Sequence, residues 1–279
     1  MPATQIAQNL AFINWTVLTG LALGSYAAVV LLRERTGATR GYLAFTTVCA
    51  IGFGILAWAS DGALPSSLGD SPVVVDRSWD GPRGAALAAF CVVAAAGLAS
   101  RRIVSGVARI VEWAAMGAGA ATLVFGALAW GGGSLGAAAL LLQLVIVSGA
   151  IGGVFAAMIL GHWYLVTPKL PEAPLILVAR ILLAIVILQV VLFWAWVATG
   201  AGPAGGAPFA ALVGPWALFV WLRLIVGLVF PMIVSWASVQ TARSRSMESA
   251  TGLLYINVGS IAAGTILAAG LYFGAGLLV

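Results

Sequence analysis

The chain has 279 residues, 62% of them hydrophobic and only 8% charged, with a formal net charge of +5. Soluble domains carry about 25% charged residues, so a water-soluble fold is excluded and lipid is the expected solvent. Two cysteines and one histidine cannot supply a zinc cluster or a bis-histidine haem, so neither a metal nor a haem is expected.

A spanning helix needs about 20 apolar residues. Runs of that kind cover roughly residues 9–32, 42–60, 84–100, 107–131, 137–165, 174–199, 209–240 and 251–277. They lack the two-residue alternation of barrel strands. The predicted fold is therefore an all-α integral membrane protein with eight transmembrane helices.

Span 1 has no basic cluster ahead of it and no small-residue cleavage site behind it. It ends in Arg33-Glu34-Arg35, which reads as a retained helix rather than a cleaved leader. Arg40 follows the same span, Arg101, Arg102 and Arg109 separate spans 3 and 4, and Lys169 and Arg180 follow span 5. Arg243 and Arg245 follow span 7, so all of these fall on one side of the count. On the other side Arg77 and Arg83 are diluted by Asp61, Asp70, Asp76 and Asp80. The positive-inside rule then predicts a multi-pass protein of the cytoplasmic (inner) membrane with both termini outside. The basicity is topological, and nucleic acid is not an expected partner.

Cys49 and Cys91 lie mid-span, where free thiols behave as small buried hydrophobes. The one long polar segment, 61–83, is punctuated by Asp, Pro, Gly and Ser. It is predicted to form turns, as a small lid or docking surface, without a further element.

Span 5 repeats features of span 1. NWTVLTGLALGSYAAVVLLR at 14–33 aligns with QLVIVSGAIGGVFAAMILGH at 143–162. Gly20 and Gly24 match Gly149 and Gly153, and Ala27-Ala28 matches Ala156-Ala157. Ridges of small residues let helix backbones approach closely in lipid. The expectation is two parallel four-helix halves, 1–131 and 132–279, with spans 1 and 5 central. Two unrelated glycine-rich packing faces are the simpler alternative.

Arg223 is the costliest side chain to insert, at about 2.5–3.5 kcal/mol or more near mid-membrane, and should face a protein interior or wet cavity. Pro231 cannot donate to the Gly227 carbonyl, so a kink with a freed carbonyl is expected one turn from that cation. Arg223 is accordingly a candidate ligand-binding residue, beside the amides Asn14, Gln143 and Asn257. Gln189 is a further buried amide able to bond across helices. His162, Asp61 and Glu112 are candidate proton-transfer groups, a role for which the ordinary pKa of a histidine, near 6.5, is well placed. The simpler readings are an interfacial position for His162 beside Trp163 and Tyr164, and a local Arg109–Glu112 pair three residues apart. Trp58, Trp130, Trp196, Trp216, Trp163 and Trp236 fall near span ends and are expected to be interface anchors. No phosphate loop, Ser/His/Asp set or HExxH pattern is present, so hydrolytic or nucleotide-driven chemistry is not expected.

The stretch LTGLALGSYAAVVLL, Leu18 to Leu32, together with the eight-span plan, resembles the membrane anchors of polysulfide- and DMSO-reductase-type (NrfD-like) respiratory complexes. That resemblance implies a haem-free subunit that holds a quinol near the outer face and passes its electrons to an iron–sulfur partner. The family commonly uses a polar or ionisable group in its first half for quinol protons; this chain has no histidine there, and Asp61, Arg223 or Asn14 would have to substitute. The expected function is quinone interaction within a respiratory electron-transfer complex. The alternatives are a transporter or channel for a small anionic or weak-acid solute, and a membrane scaffold subunit.

Overall fold

The computed structural model describes residues 1–100, 105–167 and 170–279. Arg101, Arg102 and Lys169, which entered the charge count, lie outside the described residues. Among the described residues the chain is helical, with eight helical segments long and apolar enough to cross a membrane. A short helix α1 (Pro2–Gln8) leads into α2 (Leu10–Arg35), α3 (Arg40–Asp61), α4 (Asp80–Ser100) and α5 (Ser105–Trp130). Then follow α6 (Ser134–Val166), α7 (Ala173–Thr199), α8 (Ala217–Leu224), α9 (Phe230–Arg243) and α10 (Met247–Ala275). Helices α8 and α9 form one span through a π-helical turn at Ile225–Val229.

Three boundaries differ from the sequence expectation, each for a local reason. The first apolar run is preceded by α1 and broken at Asn9, whose amide bonds back to the Gln5 carbonyl at 2.9 Å. Helix α4 starts at Asp80, because an acidic residue suits a helix N-terminus and Pro82 is tolerated in a first turn. The seventh span starts only at Ala217; Gly214-Pro215 keeps the preceding segment out of the helix, leaving a loop with one 3-10 turn at Ala210–Leu212. The polar segment after α3 also holds a 3-10 turn, Arg77–Trp79, where turns alone were expected.

Helices α2 and α6 form the centre. In each, 72% of the most apolar stretch is buried, against 33–44% in the other six spans. They pack on each other, with α3, α4 and α5 in chain order on one side and α7, α9 and α10 on the other. The crossing explains why. A methyl group on Gly24 would strike the Ser148 carbonyl, and one on Gly152 would strike the Ser25 amide and the Gly24 backbone. Gly20 faces Ser148 and Ile151 in the same seam. The ridge on α2 is therefore the expected one, but its partner on α6 is Ser148–Gly152. Of the aligned glycines, Gly149 faces Ile185 of α7, and Gly153 has open space around it. One residue of register separates the sequence match from the contact.

The buried clusters do not stop at residue 131. Leu140, Leu144, Tyr272 and Phe273 belong to the cluster built mainly on α2–α5, while Val29, Leu32, Tyr42 and Leu43 join that of α6, α7 and α10. Cys49 and Cys91 are free thiols in α3 and α4, Cys91 packed against Gly54. The end of the bundle where α2 finishes and α5 begins is rich in arginine. The opposite end carries the loop after α3 and the loop after α7.

Candidate functional site

Two buried arginines stand out, one at each level of the bundle. At the loop end, Arg83 of α4 has a side chain only 1% exposed. Its Nε donates to Asp61 Oδ1 at 2.7 Å and its Nη1 to Asp80 Oδ1 at 3.0 Å. Asp61 is the last residue of α3 and Asp80 the first of α4, so the helix ends themselves bring both carboxylates to one guanidinium. The cation also lies over the Trp130 ring, 4.8 Å from its centroid, and 5.8 Å from that of Trp15. Beneath it Phe12, Trp15, Trp130 and Phe273 pack with ring centroids 4.8–5.6 Å apart, mostly edge to face.

This arrangement surrounds a cavity of about 230 Å³ lined by Asp61, Asp80, Arg83, Phe12 and Trp130, with Leu64, Pro65, Val75 and Arg77 of the loop across it. An engineered apolar cavity of about 150 Å³ admits benzene, so a single six-membered ring fits with room for polar contacts. The loop is pinned as a cover: Leu68 and Val73 are buried, and the Asp76 amide donates to the Ala129 carbonyl at 2.8 Å. Asp80 Oδ2 accepts from exposed Arg77 at 3.2 Å, which carries the charge network to the surface. One wall is aromatic, one is a buried ion pair, and the rim reaches water.

The second arginine is Arg223. It is buried, as its insertion cost requires, yet it touches no carboxylate in the described contacts. Its Nη2 donates to Gln189 Oε1 of α7 at 2.9 Å and its Nη1 to the Gly227 carbonyl at 3.1 Å. That carbonyl is the one Pro231 cannot reach, so the expected freed acceptor exists and the neighbouring cation satisfies it. The space for the guanidinium comes from Gly227 and Gly264: a methyl group on either would meet the other's backbone and Arg223 Nη1. Nε is buried without a partner. Arg223 lines neither the loop-end cavity nor those of about 280 and 20 Å³. It acts as an internal strut across the π turn.

The other candidate residues are dispersed. Asn14 is exposed on the outer side of α2. Gln143 donates to the Val279 main-chain oxygen at 2.8 Å and borders the 20 Å³ cavity with Thr16 and Tyr272. Asn257 is fully buried, donating to Ser235 Oγ at 2.8 Å and accepting from Ser260 Oγ at 3.2 Å, a polar clasp between α9 and α10. Exposed His162 faces the Tyr255 hydroxyl at 3.3 Å. Glu112 is buried and pairs with Arg33 of α2, while Arg109 pairs with Glu34 at 2.7 Å. Both ion pairs tie α5 to α2, where a local pair within α5 was the simpler expectation.

Of the seven candidates only Asp61 joins the loop-end cavity, and its partner Arg83 was missed. A signal was present: Arg83 sits one turn after Asp80, and Asp61 and Arg83 bracket the only long polar loop. Trp130, expected as an interface anchor, is 1% exposed and forms the wall under Arg83. Trp58 and Trp236, in contrast, are exposed. The chain matches no protein-family model, and no curated protein or solved structure shows significant similarity to it.

Proposed function

We propose that the protein is a haem-free, quinone-interacting membrane subunit of a respiratory electron-transfer complex, with its quinol headgroup seated in the loop-end cavity. The observation that carries this reading is the meeting of the buried Asp61–Arg83–Asp80 network with the Phe12/Trp130 wall around a volume of single-ring size. An aromatic wall suits a planar ring, and a fixed guanidinium polarises a ring oxygen. Asp61 accepts a proton from the quinol hydroxyl, and Asp80, one-third exposed, passes protons toward water. Oxidation of one quinol gives one quinone, two protons and two electrons. The protons leave through the carboxylates, and the electrons go to an iron–sulfur partner subunit.

The anion-transport alternative drew on Arg223. It also drew on the glycine-rich helices; the engagement of the guanidinium by Gln189 and Gly227 beside a glycine contact favours the loop-end cavity over it.

Equilibrium binding of short-chain ubiquinol and menaquinol analogues, kept reduced under anaerobic conditions, to the purified chain tests the proposal. Binding by the wild type that weakens at least tenfold in Asp61→Asn, and is unaltered in Arg223→Lys, is the expected pattern. Equal binding by wild type and Asp61→Asn would remove the assignment.

A further inference from the structure

Arg180 is the only charged residue of α7 and lies on an exposed face of that helix. Gln189 fixes the rotation of α7, because its side chain meets Arg223 and the Ile146 carbonyl inside the bundle. Arg180 stands nine residues, or about two and a half turns, before Gln189 and therefore points to the opposite side. It shares a stripe there with Ile187, Val191 and Trp194, all of them exposed. On a membrane-spanning helix that stripe faces lipid.

The length of α7 sets how deep this cation lies. The helix has 27 residues, about 40 Å at 1.5 Å each, against a hydrocarbon core of about 30 Å. Centred, it leaves about 5 Å outside at each end, and Arg180, about 10 Å from the helix start, sits about 5 Å beneath the boundary. The seven residues ahead of it in α7, Ala173 to Ala179, are apolar and offer no acid. An arginine so placed lays its stem along apolar surface and carries its guanidinium out to the phosphate layer.

The surrounding charge favours an anionic headgroup. All four glutamates of the chain lie at this end. Three are engaged between elements: Glu112 by Arg33, Glu34 by Arg109 at 2.7 Å, and Glu172 by Arg245 at 2.6 Å. The fourth, Glu248, is exposed in the first turn of α10. Exposed Arg35, Arg40, Arg180 and Arg243 touch no carboxylate in the described contacts. Arg243 closes α9, which packs on α7. At the loop end the balance reverses, with Asp61, Asp70, Asp76 and Asp80 against Arg77 and Arg83.

We infer that Arg180 anchors a phospholipid site on the lipid-facing side of α7. Its guanidinium pairs with the phosphodiester of an anionic lipid, whose acyl chains lie along Ile187 and Val191. The planar fork of an arginine matches two phosphate oxygens at once. The inference does not depend on the Asp61–Arg83 reading.

Native mass spectrometry of the purified chain, delipidated and then titrated with phosphatidylglycerol or phosphatidylcholine, tests it. The wild type is expected to bind phosphatidylglycerol about fivefold more tightly than phosphatidylcholine, or better. Arg180→Gln should lose about fivefold in phosphatidylglycerol affinity, the factor for one cation near an anionic surface. Arg180→Lys should retain more of it than Arg180→Gln. Arg243→Gln removes a charge at the same end and should lose clearly less. Equal affinity for the two lipids, equal losses in Arg180→Gln and Arg243→Gln, or displacement of the lipid by inorganic phosphate would overturn the inference. So would a dimer of the chain that survives delipidation and takes up no lipid.

Discussion

Arg83 and Arg223 are equally buried and differently surrounded. Arg83 is neutralised by two carboxylates, leans on an indole face and borders a cavity open toward the surface. Arg223 is met by an amide oxygen and a main-chain carbonyl, inside a glycine contact. The first has acids and space; the second has neither. A cation deep in a membrane protein marks a place that the fold must satisfy, and the proposed site is the one that also has adjacent volume and carboxylates.

Several substitutions would break or sharpen that contrast. The largest effect is expected from Asp61→Ala, which leaves Arg83 with one carboxylate; losing one partner of a buried pair costs about 3–5 kcal/mol. Thermal unfolding in detergent measures that loss. The milder Asp61→Asn keeps the shape, and on the proposed quinol reading turnover should drop about 100-fold or more, the usual range for losing a proton acceptor. Arg223→Met leaves two acceptors unmet, at about 1–3 kcal/mol each, a loss of comparable size, and on the proposed reading should leave quinol turnover per folded molecule unchanged. The double variant Arg223→Met/Gln189→Leu removes the cation and one stranded acceptor together, and should recover at least half of that loss. A fall in quinol turnover per folded molecule in either Arg223 variant would show that the strut serves the proposed site.

The smallest effect concerns Asp76. Ser78 donates its N–H at 3.0 Å and its hydroxyl at 2.7 Å to Asp76 Oδ1, holding that exposed carboxyl below the usual aspartate range. A lowered folded-state value gives stabilisation that is full above the unfolded value, near 4, and is lost as pH falls through the folded one. Ser78→Ala should therefore lower the unfolding midpoint slightly at pH 7, and the gap should close in strong acid. A gap that widens in acid would reverse the assignment.

Much of the architecture is legible in the chain, because spans are set by length and hydropathy, and lipid enforces both. The Pro231–Gly227–Arg223 relation was also readable, since it is local chemistry within one helix. What was hidden is what depends on register between helices. Gly149 and Gly153 align with the α2 glycines, yet the contact falls on Ser148 and Gly152, one residue aside, where only a packed pair reveals it. Likewise Arg83 reads as a loop-flanking surface charge until the ends of α3 and α4 place Asp61 and Asp80 on it. Asn14 looked like a buried amide by its span, but its face of the helix points outward.

The backbone-to-backbone crossing of Gly24 with Ser148 and Gly152 has a mechanical corollary. Glycine lets the two main chains meet directly, so a side chain added at Gly24 or Gly152 would have to push α2 and α6 apart. Any displacement of α2 against α6 would have to begin at that joint. A bulkier residue at Gly24 or Gly152 would therefore be felt along the whole central pair.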